Sequence, residues 1–409
     1  MNGQNQDHFI GLDIGTDAVR CVVGMFDPNG SNMPQIIGHG QAKNQGMRRG
    51  AVVHVDEVAD AIVHAVTEAE RIAGVTIRQA TVNVNGSNVS GLNSEGVIAI
   101  SAANREITPE DRLRVEEAAT IVSLPPNREI VQFFAKNYSL DGQRNIKDPV
   151  GMHGVRLEVD AHIVTAASPN LRNLDMALEK AEVLPTHHTV SGLAAAEAVL
   201  TRQQREAGVG LLDIGAGTTN LIVFEDGEVQ HVAVLPIGGQ HITNDLAIGL
   251  KTDLDVAEQV KLEHANLRAG AHKTNAMVKV GDAAHNFQFE EIKMIVEARV
   301  EELLEYVDKE LQKIKRSRKL PGGVVLTGGT AKLPGIDEFA REVLQLPARI
   351  GKLQGVGGLV DTVEDQSFTT VVGLMLLDML LLPALPPVHG KGAQARGVIT
   401  NLFSRFGFK

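Results

Sequence analysis

The sequence predicts an α/β protein built around a duplicated strand–turn–strand unit, and three observations carry that prediction. Phe9 to Val23 (FIGLDIGTDAVRCVV) and Val209 to Val223 (VGLLDIGAGTTNLIV) match at an offset of 200, with Leu12, Asp13, Ile14 and Gly15 recurring as Leu212, Asp213, Ile214 and Gly215. In each copy an apolar run meets a turn of Gly, Thr and Asp and resumes as a β-branched run. A third buried-strand pattern, Val324 to Thr327, enters Gly328-Gly329, with a helix expected from Ile336. Segments of helical period, Asp56 to Ala73 and Glu290 to Arg318, alternate with these strands.

Composition bounds the function. The 409 residues suggest two or three domains, and 39 Lys plus Arg against 50 Asp plus Glu give a formal charge of −11. That balance argues against a generic nucleic-acid binder. A single cysteine, Cys21, points to a reducing cytoplasm. No secretory pattern opens the chain. The longest apolar run, Val371 to Leu382, is interrupted by Asp378 and falls short of the roughly 20 residues a bilayer span needs, so it predicts a buried helix.

The repeated turn has the chemistry of an anion cradle. Its glycines let backbone N–H groups approach phosphate oxygens, and Thr16, Thr218 and Thr219 add hydroxyls. An acid at the strand end repels phosphate directly, so Asp13 and Asp213 make sense with a bridging cation such as hydrated Mg²⁺. The bare backbone of Gly328 and Gly329 offers a surface for a flat base or ribose. Glu258 and Lys261 stand three apart on a helix expected over Asp255 to His264, where a surface ion pair is the competing reading. His187-His188 reads as a turn or cap rather than a metal pair.

In this order the motifs resemble the actin, Hsp70 and hexokinase ATPase superfamily. DIGT (13–16) is similar to its first phosphate loop, DIGAGTT (213–219) to its second, TGGTAKLPG (327–335) to its adenosine motif, and SGLAAAEA (191–198) to its first connecting helix. The resemblance implies an actin-like fold of two lobes with ATP or ADP in the cleft. Asp13 and Asp213 would hold Mg²⁺ through water. Gly15, Thr16, Gly215, Gly217, Thr218 and Thr219 would lie at the phosphates, Glu258 and Lys261 at ribose and base, and Gly328 and Gly329 beneath the nucleoside. Glu197 is the candidate for positioning the attacking water, with a solvated helix carboxylate as its alternative, and any ATPase activity is expected to be weak. Ala216 replaces a usual glycine and requires negative φ. Asp17 is expected to point away from the phosphates.

Between the first loop and the connecting helix lies a small β/α insert. A strand pattern over Thr81 to Asn85 leads through a Gly/Ser/Asn segment to Val97-Ile98-Ala99-Ile100, and Thr108-Pro109-Glu110-Asp111 opens a helix with a capping box. Leu113, Ala118, Ile121 and Val122 are its expected apolar side, and strands follow over Glu129 to Tyr138 and Val155 to Thr165. The insert, VNVNGSNVSG, LPPNREIVQ, GVRLEVDAHIVTA and PIGGQHITNDLAIGLKTDLDVAEQVKLEHA all resemble FtsA, the bacterial cell-division actin homologue. The implied organisation is a first-lobe subdomain (1–80 and 166–207), an insert (81–165), a second-lobe core (208–243 and 319–384), a small subdomain (244–318), a linker (385–397) and a terminal helix (398–409). A PilM-like pilus-assembly ATPase and, more remotely, a sugar kinase are the rival readings. An Hsp70 chaperone would continue into a long substrate-binding domain.

The terminal segment has chemistry of its own. Ile399, Leu402, Phe403 and Phe406 recur at helical spacing, beside Val398 and Phe408. From Val388 onward there is no acid, while Lys391, Arg396, Arg405 and Lys409 make the tail formally +4 and leave −15 on the rest. A basic amphipathic tip on a tether suits an anionic membrane, with a helix docked back on the body as the alternative. Membrane binding by one tail is expected to be marginal and to become firm when many are presented together. FtsA resemblance implies such a targeting helix at the cytoplasmic face of the cell membrane, filaments, docking of the FtsZ C-terminal peptide near residues 244–318 with Lys251, Lys261 and Lys293 as candidate contacts, and recruitment of later division proteins.

Overall fold

The computed structural model describes residues 8–26, 33–101, 104–268, 277–280 and 285–381. The expected tail helix, with Val398, Ile399, Leu402, Phe403, Arg405, Phe406, Phe408 and Lys409, lies outside them. The first repeat folds as β1 (His8–Ile14) and β2 (Ala18–Phe26), antiparallel, with Asp13 opposite Arg20 and Ile14 opposite Val19. There follow β3 (Pro34–Lys43), the two-residue strands β4 (Met47–Arg48) and β5 (Ala51–Val52), α1 (Val55–Ala73) and β6 (Gln79–Val84). In α1, Val58, Ile62, Ala65, Val66 and Ala69 make the buried stripe, and Gly74 ends the helix in a left-handed cap.

The insert comprises β7 (Ser90–Ala99), α2 (Pro109–Thr120), β8 (Arg128–Leu140), β9 (Gln143–Ile146) and β10 (Arg156–Ala167). The Thr108 capping box forms: Asp111 N donates to Thr108 Oγ1 (3.2 Å) and Thr108 N to Asp111 Oδ2 (3.1 Å). The apolar side expected for α2 is corrected. Val115 and Ala119 face the sheet, Leu113 and Ala118 are only half-buried, and Ile121 caps the helix with 85% of its surface exposed. The cause is Gly96 in β7, where a Cβ would lie 2.2 Å from Val115 O, so the helix presses its backbone onto the strand at that turn.

The chain returns through α3 (Ser168–Lys180), β11 (Leu184–Val190), α4 (Ser191–Val199) and α5 (Arg202–Ala207). The second repeat is β12 (Val209–Ile214) and β13 (Thr219–Glu225), in the register of the first: Asp213 lies opposite Asn220, Ile214 opposite Thr219. The rest is β14 (Glu228–Leu235), α6 (Gly239–Gly249), α7 (Leu254–His264), β15 (Met277–Val280), β16 (His285–Gln288), α8 (Phe289–Lys313), β17 (Val324–Thr327), α9 (Ile336–Leu344), β18 (Ala348–Ile350), β19 (Gly357–Gly358), α10 (Val360–Val363) and α11 (Thr369–Leu381).

The first lobe is a six-stranded sheet, β11-β6-β1-β2-β3-β19. The second sheet, β18-β17-β12-β13-β14, continues through one residue pair, Ala233 and Ser90, into the insert strands β7-β10-β8-β9. Strand β12 alternates Leu211 into the first-lobe core and Leu212 into that of α6 to α9. Helix α11 crosses α4 in backbone contact, since a Cβ on Gly373 would fall 1.7 Å from Ala194 O. Asp378, 2% exposed in that helix, accepts from Ile10 N (3.0 Å), Thr81 Oγ1 (2.7 Å) and Thr186 Oγ1 (3.1 Å), which is how an acid survives in an apolar run. Among the described residues no helix is long and apolar enough to cross a membrane.

Candidate functional site

The two repeated turns meet. A Cβ on Gly217 would lie 2.9 Å from Thr16 Oγ1, so each loop tip rests on the other. Gly15 N donates to Ala18 O (3.1 Å) and Gly215 N to Thr218 O (2.9 Å), which spends those two amides inside their own turns. Thr16 Oγ1 accepts from Gly50 N (3.0 Å), and Thr218 Oγ1 reaches Asn85 Oδ1 at 3.4 Å. The Thr219 hydroxyl turns into the core, donating to Ile237 O (2.8 Å). Ala216 keeps a negative φ, and Asp17 points outward against Lys43 (2.5 Å), as its charge requires.

Asp13 and Asp213 are both buried. Burial pushes the Asp13 carboxyl up to about 7, against the pull of Arg20 and with the charge of Asp213 adding to the rise. Asp213 is also raised by burial, opposed by hydrogen bonds from Thr370 and Asn220 and by the Arg20 charge. Thr370 Oγ1 and Asn220 Nδ2 each lie 3.2 Å from Asp213 Oδ2. The Asn220 Oδ1 is buried without a hydrogen-bond partner. Two buried like charges with a free carbonyl oxygen beside them form a hard-oxygen donor set that suits Mg²⁺.

Three side chains here carry no motif signature. Arg20 stands where the second repeat has Asn220; its guanidinium stacks over Phe368 at 5.4 Å and its buried Nε has no partner. Asn83, from β6, and Thr370, from α11, reach the carboxylates from strands and helices remote in sequence. The repeat offset could have exposed Arg20, because position 20 maps onto 220. Nothing in the local sequence marks the other two.

The far wall joins loop 2 to the Gly-Gly strand. Thr330 Oγ1 donates to Gly215 O (3.0 Å), and a Cβ on Gly328 would lie 2.5 Å from Asp213 Oδ1. Lys261 Nζ pairs with Glu258 (2.7 Å) and donates to Thr243 Oγ1 (2.9 Å) and Gly239 O (3.3 Å), so the predicted pair sits at the lip of this wall. Glu197 is held by Arg205 at 2.9 Å, with Arg205 packed over the Phe224 ring at 5.3 Å. His187 and His188 point apart: the first is buried, and the second meets Asp175 at 2.9 Å. No group of three or more potential metal-ligating His, Cys, Asp or Glu occurs among the described residues.

Comparison with known proteins places this architecture. Residues 210–373 match the family "Cell division protein FtsA", and residues 86–165 match "SHS2 domain inserted in FTSA". The FtsA of Pseudomonas aeruginosa is 36% identical over 91% of this chain and 89% of its own length. That of Bacillus subtilis is 38% identical over 91% of this chain and 83% of its own. Among solved structures, the PilM–PilN type IV pilus biogenesis complex aligns with a TM-score of 0.65 at 18% identity, over 90% of this chain and 98% of that one. MreB5 of Spiroplasma citri bound to ADP aligns at 0.54 and 13%, over 91% and 96%. These last two show the fold alone, and the curated relatives show the family: the chain has the actin-like ATPase fold and belongs to the cell-division protein FtsA family.

Proposed function

We propose that this chain is an ATP- and Mg²⁺-binding, filament-forming adaptor that tethers FtsZ to the cytoplasmic face of the membrane at the division site and helps recruit later division proteins. The observation that carries the reading is the convergence of Asp13 and Asp213 between two abutting glycine loops and the Gly328-Gly329 turn. Bound Mg²⁺ would neutralise phosphate charge. Asp13 and Asp213 would hold it through water, the Arg20 charge beside them would add to the neutralisation of phosphate, and Gly329 would leave the nucleoside face open.

The small subdomain exposes Ile248, Leu262 and Met294, with Lys251 also at the surface. Apolar anchors with nearby cations suit an acidic peptide such as the FtsZ C-terminus. Anchoring rests on the tail: four or five inserted apolar side chains would give roughly 1.5–3 kcal/mol each if fully buried. Shallow insertion and helix ordering remove much of that, so binding would be reversible and reinforced by polymerisation. Co-sedimentation with anionic liposomes tests it. The full chain should pellet and a chain ending at Leu385 should remain in the supernatant; equal pelleting would sink the anchor.

A further inference from the structure

The Asn83 side chain is 2% exposed and fully committed. Its Oδ1 accepts from Ile14 N at 2.7 Å, while Nδ2 donates to Asp13 Oδ1 at 2.7 Å and to Ser191 Oγ at 3.1 Å. Ile14 N–H can only donate, so the amide cannot be turned round: its oxygen must face β1 and its NH₂ must face the carboxylate and the serine. Both N–H bonds then have acceptors, and Asn83 grips Asp13 through Oδ1 and not through Oδ2.

The second lobe meets the same need differently. Asp213 is held by Asn220 from its own antiparallel partner β13, whereas Asp13 faces Arg20 at the matching position and takes its amide from β6. The duplicated sequence therefore does not disclose the amide of the first lobe; the sheet order does.

We infer that Asn83 is the positioning residue of the first-lobe carboxylate: by occupying Asp13 Oδ1 it presents Oδ2 to hydrated Mg²⁺, and through Ser191 it ties that carboxylate to the first residue of α4, the helix against which α11 packs. The inference rests on the nucleotide and magnesium reading of the cleft. A hydrogen bond from a neutral amide fixes the carboxylate rotamer without adding charge that competes with the cation. Asn83 touches neither nucleotide nor reacting atoms in this account, and acts only through Asp13.

The test is calorimetric titration of ADP into the full chain, in EDTA and over a range of Mg²⁺ concentrations. Asn83→Ala should raise the Mg²⁺ needed for half-maximal enhancement at least tenfold and leave ADP affinity in EDTA within twofold. Asn83→Gln, which keeps an amide on a longer arm, should recover part of the loss. A folded Asn83→Ala with the parent's Mg²⁺ requirement overturns the inference, and so does equal weakening with and without Mg²⁺. Should Asn83→Ala not fold, the parent still decides: the Asn83 side-chain ¹⁵N resonance must shift when Mg²⁺ is added to the ADP-loaded chain, and an unmoved resonance overturns the assignment. A parent chain that binds no ADP refutes the reading of the cleft itself, and the inference falls with it.

Discussion

Gly328 is packed against Asp213 so closely that a Cβ on it would stand 2.5 Å from the carboxylate Oδ1, and 2.6 Å from Ile214 O. Its backbone (φ 87°, ψ 167°) lies in a region that only glycine occupies readily. The next residue is different: a Cβ on Gly329 would meet nothing nearer than Ser367 Cβ at 3.9 Å. Packing therefore demands glycine at 328 and leaves room for a side chain at 329.

Gly328→Ala should lower stability by roughly 2–6 kcal/mol, the sum of backbone strain and overpacking. Gly329→Val should leave the urea midpoint near that of the parent and, on the proposed nucleotide reading, weaken ADP binding at least tenfold, because its side chain would enter the space proposed for the nucleoside. Calorimetry with both variants checks the pair, and intact ADP affinity in Gly329→Val would remove the strand from the site.

The ligand-free protein should lose stability as pH rises from about 4 to about 7 on account of Asp13. Its folded carboxyl titrates near 7 against 3.8 in the unfolded chain, so between these values the folded state binds more protons and rising pH favours unfolding. Asp13→Asn removes that component. In Mg²⁺-free urea titrations the variant should gain on the parent between pH 5 and pH 8, and parallel curves for the two proteins would refute the assignment.

His162 contributes with the opposite sign. Its Nε2 accepts from Val232 N (3.0 Å) and its ring packs 5.5 Å from His231, so burial first, then the His231 and Lys136 charges, hold it down at about 3. The unfolded side chain, at 6.5, binds protons that the folded one refuses, and stability falls as pH drops from 6.5 toward 3. His162→Gln keeps an acceptor that does not titrate. It should flatten this acid limb in pH-resolved unfolding.

Glu197→Ala should cost roughly 3 kcal/mol, because Arg205, with 5% of its side chain exposed, would be left as an uncompensated buried charge. Glu197→Gln retains a hydrogen-bond acceptor and should lose less. Equal thermal midpoints for parent and Glu197→Ala would show that the ion pair contributes nothing to the fold.

Local pattern was enough for most elements. The repeat at 200 residues yields two hairpins in identical register, the capping box at Thr108 forms as spaced, and Ile292, Val296, Val300, Leu303, Leu304, Val307 and Leu311 line the buried side of α8. It failed where a neighbour sets the depth of packing. The face of α2 is chosen by Gly96 on another strand, which moves burial to Val115 and Ala119 and leaves Ile121 exposed.

The candidate site divides in the same way. Asp13, Asp213, their loops and the Gly-Gly strand are legible because backbone turns and hard-oxygen ligands demand particular residues within a few positions of one another. Asn83, Thr370 and the junction of the insert with the second sheet at Ala233 and Ser90 are decided by tertiary structure. A buried carboxylate needs donors from whatever strand or helix passes beside it, and sequence distance places no limit on which one that is. The sequence by itself determined the family, the pair of repeated Asp-Ile-Gly loops and the basic tail; the packing of β6 and α11 around the two aspartates decided how those carboxylates are held.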